Sequence, residues 1–387
     1  MKSDRIISAS ETLARVHPFL AGYGITRVAR HTNLDSLGIP VWCAYTPNSK
    51  SLVISNGKGL NDDDARASAV MEAIERAIAG DPECQFLTGS ITDLVAGNVE
   101  PLKCPELLAK GSKVPPDEQV QTWIEGRCVF SDGPVAAPAD AIMLDRTRKT
   151  PYHMTSDGLA SGNNQAEAIA HALLERIERD AFVLWQLSSP QRRHATAVDT
   201  NSITSFAVRQ LLDTIAKSGL RLQLFDITSD IGIPTYHALL GPKDLRERWQ
   251  PRHFELTAGT GTHPRGERAI ARAITEAAQS RLTYMSGARD DLYAEVYEQR
   301  LKTDLMELFE AAASRAIEIS DPVDTDLLEI TLAHLHAAGI NRAYVFPLSL
   351  ENKPFSVVKV VVPDLENLLG AFDRPFGHRA LKRILRR

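Results

Sequence analysis

The sequence predicts a mixed α/β (α+β) fold built as a single large domain. Three observations predict it. A strand, a glycine-containing loop and an alanine-rich helix recur three times along the 387 residues. The repeats lie roughly 100 residues apart, too far for a solenoid. The composition, 43% hydrophobic and 24% charged, is that of an ordinary globular chain. The length exceeds one average domain and allows two, or one large one. We expect one domain over residues 1–387, with the Pro- and Gly-rich stretch 95–150 as a subdomain or connecting segment.

The elements follow in order. Over 24–60, "GIPVWCAYTP" and "SLVISNGKG" are rich in β-branched and aromatic residues and end in turn signals, so both predict strands. "NDDDARASAVMEAIERAIAGDPE" predicts a helix: Asp62 to Asp64 favour its start, and Gly80 with Pro82 stop it. Within 95–150, "TWIEGRCVF" is a short strand. In "TSDGLASGNNQAEAIAHALLERIERDAFVLWQ" (155–186) a Gly-rich loop leads into a long helix, with Asn164 and Glu167 spaced as a capping box. Residues 221–228 and 233–240 predict paired strands. Residues 255–287 repeat the strand, loop and helix. Residues 302–340 read as helical, and "NRAYVFPLSL" and "FSVVKVVVPDLE" as closing strands.

Charge and cysteine usage exclude several classes. A net charge of −5 argues against a nucleic-acid binder. The basic tail "HRALKRILRR" (378–387) reads as a solvated terminal helix, with a surface for an acidic peptide as the alternative. Cys43, Cys84, Cys104 and Cys128 form no Cys-x-x-Cys, which suggests neither a zinc site nor a disulfide framework and fits reduced thiols in the cytoplasm. The N-terminus lacks the apolar run of a signal peptide, and no run approaches the length of a spanning helix.

The chemistry concentrates in "SAVMEAIERAI" (68–78) and "HALLERIERDA" (171–181), each with Glu-x-x-Glu-Arg among apolar residues. Spacings of three and four put Glu72, Glu75 and Arg76 on one helix face, and Glu175, Glu178 and Arg179 on another. The plain explanation is exposed salt bridging, worth tenths of a kcal/mol. The repetition favours convergence on one site. Four carboxylates cannot share a low-dielectric site without counter-charge. Hard oxygen ligands without His or Cys point to Mg2+, which commonly brings nucleotide phosphates with it. The arginines suit phosphate oxygens. A third helix adds Arg272, Glu276, Gln279 and Arg281. Gly57, Lys58 and Gly59 lack Walker A spacing, and "AGTGTH" (258–263) lacks the third glycine of a dinucleotide fingerprint. No H-E-x-x-H or G-x-S-x-G is present. His334 and His336 read as a surface or helix-packing pair, and His171 as a hydrogen-bonded structural residue.

At these residues the chain resembles the YcaO family of ATP-dependent peptide-backbone-modifying enzymes. "SNGKG", "SAVMEAIER", "GLASGNNQAEAIAHALLERIER", "RAITEAAQSR" and "VVKVVVPDLE" occur in the family's order over most of the chain. The resemblance implies that Ser68, Glu72, Glu75, Arg76, Asn163, Glu167, Glu175, Glu178, Arg179, Glu276 and Gln279 line an ATP and Mg2+ site, with Lys58 as an addition. On the phosphate argument Arg272 and Arg281 join the nucleotide set. Glu72, Glu75, Glu175, Glu178 and Glu276 are the expected metal ligands. Glu75, Glu178, Arg76 and Arg179 are the expected catalytic groups. One departure is that Ala160 stands where some members carry Ser, with Ser161 beside it.

The resemblance further implies that ATP activates a backbone amide oxygen of a peptide or protein after a nucleophile attacks the amide carbon. Attack by a Cys, Ser or Thr side chain gives azolines; external sulfide gives thioamides. The chain shows no Pro-x-Pro-x-Pro tail of the azoline-forming members and no fused leader-binding domain. That favours thioamide formation with a TfuA-like partner. The alternatives are an azoline-forming cyclodehydratase and a non-catalytic nucleotide- or peptide-binding scaffold. A separate leader-peptide-binding protein and a homodimer are further expectations, with no role for nucleic acid or membrane.

Overall fold

The computed structural model describes residues 5–103, 107–109, 111–317, 326–367 and 376–385. Cys104, residues 318–325 of the expected helical region and the last two residues of the basic tail lie outside them.

The first unit holds α1 (Ala9–Val16), the antiparallel strands β1 (Arg27–Arg30), β2 (Val41–Tyr45) and β3 (Ile54–Lys58), and α2 (Asp62–Gly80). Then come β4 (Phe86–Gly89), α3 (Ile91–Ala96), β5 (Glu100–Pro101), β6 (Gln121–Cys128), β7 (Pro134–Pro138) and α4 (Ala139–Ile142). The second unit is β8 (Leu159–Gly162), α5 (Gln165–Gln186) and the short α6 (Pro190–His194). The third is α7 (Phe206–Lys217), the antiparallel strands β9 (Leu220–Asp226), β10 (Thr235–Pro242) and β11 (Thr257–Thr262), α8 (Gly266–Ser286), α9 (Ala294–Glu298) and α10 (Thr303–Phe309). Helix α11 (Leu327–Ala337), strands β12 (Tyr344–Pro347) and β13 (Ser356–Val361) and helix α12 (His378–Leu385) close the chain.

The stretch 95–150 is woven into a seven-stranded sheet of order β5-β7-β6-β12-β13-β8, with β4 pairing the first half of β6. Strand β8, which feeds α5, therefore pairs with β13 from near the end of the chain. Each of the three main helices packs on its own strand and on the next unit's: α2 on β3 and β8, α5 on β8 and β11, α8 on β11 and β3. The three units close a ring.

The glycines expected in loops lie inside strands. Gly57 is in β3, Gly162 ends β8, and Gly259 and Gly261 are in β11. The reason is steric. A Cβ at Gly57 would stand 2.1 Å from the backbone of Ala65 and Ala69, one at Gly259 2.2 Å from Ala277 N, and one at Gly261 2.2 Å from Ala269 O. Glycine on the strand and alanine on the helix bring the two backbones into contact. The capping box is half formed. Asn164 Oδ1 accepts from Glu167 N–H (2.8 Å), but the Glu167 carboxylate turns to Asn163 and Arg5. Asn61 caps α2 in the same way through Asp64 N–H (2.9 Å). The expected helical span 302–340 holds α10 and α11, with residues 310–317 outside any helix.

The terminal helix is not simply solvated. Ala380 is buried, Ile384 packs against the cluster of Val183 of α5 and Leu187 just after it, and Arg379 bonds both carboxylate oxygens of Asp180 (2.9 and 2.8 Å). Lys382 and Leu385 face solvent. His334 holds the Ile231 carbonyl (2.8 Å) as a packing residue, and the exposed His336 bonds Asn341 (2.6 Å) at the surface. Among the described residues no helix is long and apolar enough to cross a membrane.

Candidate active site

The helix starts explain why the charged residues meet. Glu72, Glu175 and Glu276 each stand ten positions after the first residue of their helix, Asp62, Gln165 and Gly266. Glu75, Glu178 and Gln279 stand three further on, so the ring places equivalent faces toward one chamber. The third helix departs by carrying Gln279 for the second carboxylate and Ser280 for the arginine.

Arg179 is the hub. Its guanidinium lies 3.2 Å from Glu175, 3.6 Å from Glu178 and 3.6 Å from Asp157. Glu276 acts on it across the chamber, and together these carboxylates outweigh burial and hold it firmly protonated. Its Nε is buried without a hydrogen-bond partner among the described residues. Lys58, on β3, pairs with Glu276 of α8. Arg76 pairs with Glu72 one turn earlier (2.9 Å).

Glu75 accepts from both the Ser161 hydroxyl (2.6 Å) and the Ser161 N–H (2.9 Å), joining α2 to β8. Burial, aided by repulsion from Glu72 and Glu175, pushes its carboxyl up to about 8. Glu178 is 5% exposed, and burial with the charge of Glu276 pushes it up to about 7. Burial also raises Glu175. For Glu276 burial is outweighed by Lys58, Arg179 and Arg272, and the carboxyl is lowered.

These shifts test whether a divalent cation fits. Carboxylates pushed toward neutrality mark a chamber short of positive charge. Among the described residues no group of three or more His, Cys, Asp or Glu is placed to hold a metal ion by itself. Mg2+ is suited to such a site, because it takes one or two carboxylates, phosphate oxygens and water.

Ser68 is exposed on the Glu72 face of α2. Asn163 and Glu167 sit at the start of α5. Two residues that sequence reasoning missed cover them: Arg5 pairs with Glu167 and bonds His171 (3.0 Å), and Thr12 donates to Asn163 (2.9 Å). No local motif marks Arg5 or Thr12. Arg272 acts on Glu178 and Glu276 at longer range. Gln279 is half-buried on the face of Glu276. Arg281 is engaged by Asp35, ahead of β2, at 2.5 Å. Ser161 is a glutamate partner in this structure. Cys43 is a buried thiol that donates to Asn56 (2.7 Å), and burial pushes it up to about 12.

A family model described as YcaO cyclodehydratase, ATP- and Mg2+-binding, matches residues 56–366. A protein from Rhizobium leguminosarum bv. trifolii, described as an uncharacterized protein in the tfuA 3′ region, is 35% identical over 98% of this chain and 93% of its own length. A heterocyclase solved in complex with substrate and cofactor matches with a TM-score of 0.74 and 19% identity, over 95% of this chain and 54% of that one. This chain thus spans about half of that protein. YcaO from Methanopyrus kandleri, bound with AMPPCP and Mg2+, matches with a TM-score of 0.71 and 22% identity over 94% of this chain and 92% of that one.

Proposed function

The chain belongs to the YcaO cyclodehydratase family, an ATP- and Mg2+-binding family, and from that premise we propose that it converts a backbone amide of a peptide or protein into a thioamide. Mg–ATP, when bound, supplies the phosphoryl group that turns the amide oxygen into a leaving group. The observation that carries this reading is the meeting of carboxylates from two of the helices, Glu175 and Glu178 of α5 and Glu276 of α8, on the half-buried Arg179 guanidinium, with Glu75 of α2 repelled by Glu175.

The one or two carboxylates that hold the metal would come from among Glu72, Glu75, Glu175, Glu178 and Glu276. Arg76, Arg179, Arg272, Lys58 and the exposed Ser68 would orient the phosphates and spread their charge. Asn163, Glu167 and Gln279 would complete the nucleotide site. Arg281 would act there only by leaving Asp35. Glu75 and Glu178 are placed to give up protons as positive charge enters, since both stand near neutrality. The protein needs no covalent nucleophile, because positioning and charge neutralisation carry phosphoryl transfer.

Sulfide as the nucleophile, with a TfuA-like partner aiding its delivery, is supported by the relative from a tfuA region. The test is mass spectrometry of a peptide encoded nearby, incubated with ATP, Mg2+ and sulfide, with and without the partner. Exchange of oxygen for sulfur is the expected result. Loss of one water identifies azoline formation instead. Nucleotide binding without turnover identifies a scaffold.

A further inference from the structure

Helix α5 carries charge on the side away from the chamber as well. Arg176 is 3% exposed, and its Nη2 donates to the carbonyls of Glu366 (2.9 Å) and Leu365 (3.3 Å). Between Arg176 and Arg179 lies Asp157, 3.6 Å from each. Strand β13 fixes its loop: Lys359, 3% exposed, donates to the carbonyls of Thr155 (2.6 Å) and Asp157 (2.7 Å). The next residue, Gly158, has φ +76° and gives its N–H to Glu175 (3.2 Å). A Cβ there would stand 2.3 Å from Val360 O, so only glycine lets the loop lie this close to β13.

Resting on the function above, we propose that Asp157 and Lys359 are positioning residues for the metal–nucleotide site, Asp157 by drawing Arg179 back from Glu175 and Glu178, and Lys359 by fixing the loop that presents Asp157. Asp157 competes with the two glutamates for the Arg179 guanidinium. Arg179 touches three carboxylates loosely, at 3.2 to 3.6 Å. Without the pull of Asp157, the guanidinium closes on Glu175 through Nη2 and on Glu178 through Nη1 and neutralises them. They are then poorer ligands for a cation. The loop also places the Gly158 N–H on Glu175, an outer partner of the kind that orients a metal ligand.

The test is calorimetric titration of Mg2+ with AMPPCP into wild type and Asp157→Asn, which keeps the side-chain volume. The half-saturating Mg2+ concentration is expected to rise about tenfold or more, the usual scale for losing an outer-sphere partner. Asp157→Glu should recover part of the loss. A merely structural role would lower the melting temperature of Asp157→Asn and leave the Mg2+ dependence of the folded protein unchanged; that result overturns the proposal. Lys359→Gln keeps an N–H donor for the loop and gives a second measurement should Asp157→Asn not fold. It is expected to shift Mg2+ in the same direction by less, and a wild-type value overturns the role of Lys359. If wild type itself binds no Mg–AMPPCP, the proposed function fails and this inference falls with it. Wild-type binding with unmoved variants removes this inference alone.

Discussion

Helices α2 and α5 carry the same Glu-x-x-Glu-Arg face but hold it in opposite ways. Counted from Asp62 and Gln165, the positions of Ala73 and Ala77 in α2 are those of Arg176 and Asp180 in α5. Behind its glutamates α2 is small and apolar, with Ala69, Ala73, Ile74 and Ile78 in the core and Gly57 beneath it. Behind its glutamates α5 is charged: Arg176 is fastened to residues 365–366, and Asp180 to Arg379 and the Glu366 N–H (3.0 Å). On the proposed function, the chemistry fixes the front face of both helices. Nothing fixes the back face except that it must be satisfied, by packing in one case and by paired charge in the other.

The largest effect should come where the two helices are alike. Glu75→Ala and Glu178→Ala should each cut Mg2+-dependent ATP turnover by on the order of a hundredfold or more, with circular dichroism unchanged, the scale of removing one group that stabilises transferred charge. Turnover retained in the α2 variant and lost in the α5 variant would break the equivalence of the two motifs.

The next effect should fall where they differ. Asp180→Ala leaves Arg379, among the described residues, with Asp230 alone and strips the Glu366 N–H of its acceptor, and should cost about 3–5 kcal/mol in denaturant unfolding. Gly57→Ala acts on the apolar support instead. The added methyl meets backbone, which cannot swing aside, and should cost about 1–3 kcal/mol.

The smallest effect is one of pH. Glu75 and Glu178 have folded values of about 8 and about 7, above their ordinary 4.5. The folded protein therefore binds more protons than the unfolded chain between those limits, and metal-free stability falls as pH rises through that window. Asp157 and Glu276 are lowered, so their contribution is present at neutral pH and lost only in acid. Scanning calorimetry from pH 5 to about pH 8.5 should show the melting temperature dropping without metal, and Mg2+ with AMPPCP should recover it most at the alkaline end. A flat metal-free profile would mean that these glutamates ionise freely.

Much of the front face was legible in the sequence, because the two motifs repeat and a helix turns spacing into direction. The strand–helix order and the closing strands were legible for the same reason. The glycines were misread as loops because glycine serves both turns and close backbone approach, and only the alanines at 65, 69, 269 and 277 tell which. Arg5 and Thr12 act over 162 and 151 residues of separation, which no local pattern reveals. Lys359 did leave a trace: a single charge inside "SVVKVVV" is costly to bury unless something nearby needs it.

Ring closure bears on how the protein folds. Helix α8, late in the chain, must dock on β3, near its beginning, before the chamber has its third wall. Strand β8 is likewise paired only once β13 has been made. Contacts of such sequence separation form slowly and together. The chamber should therefore emerge in one late step, and a chain cut between the units should yield pieces that hold strands and helices but no trace of the site.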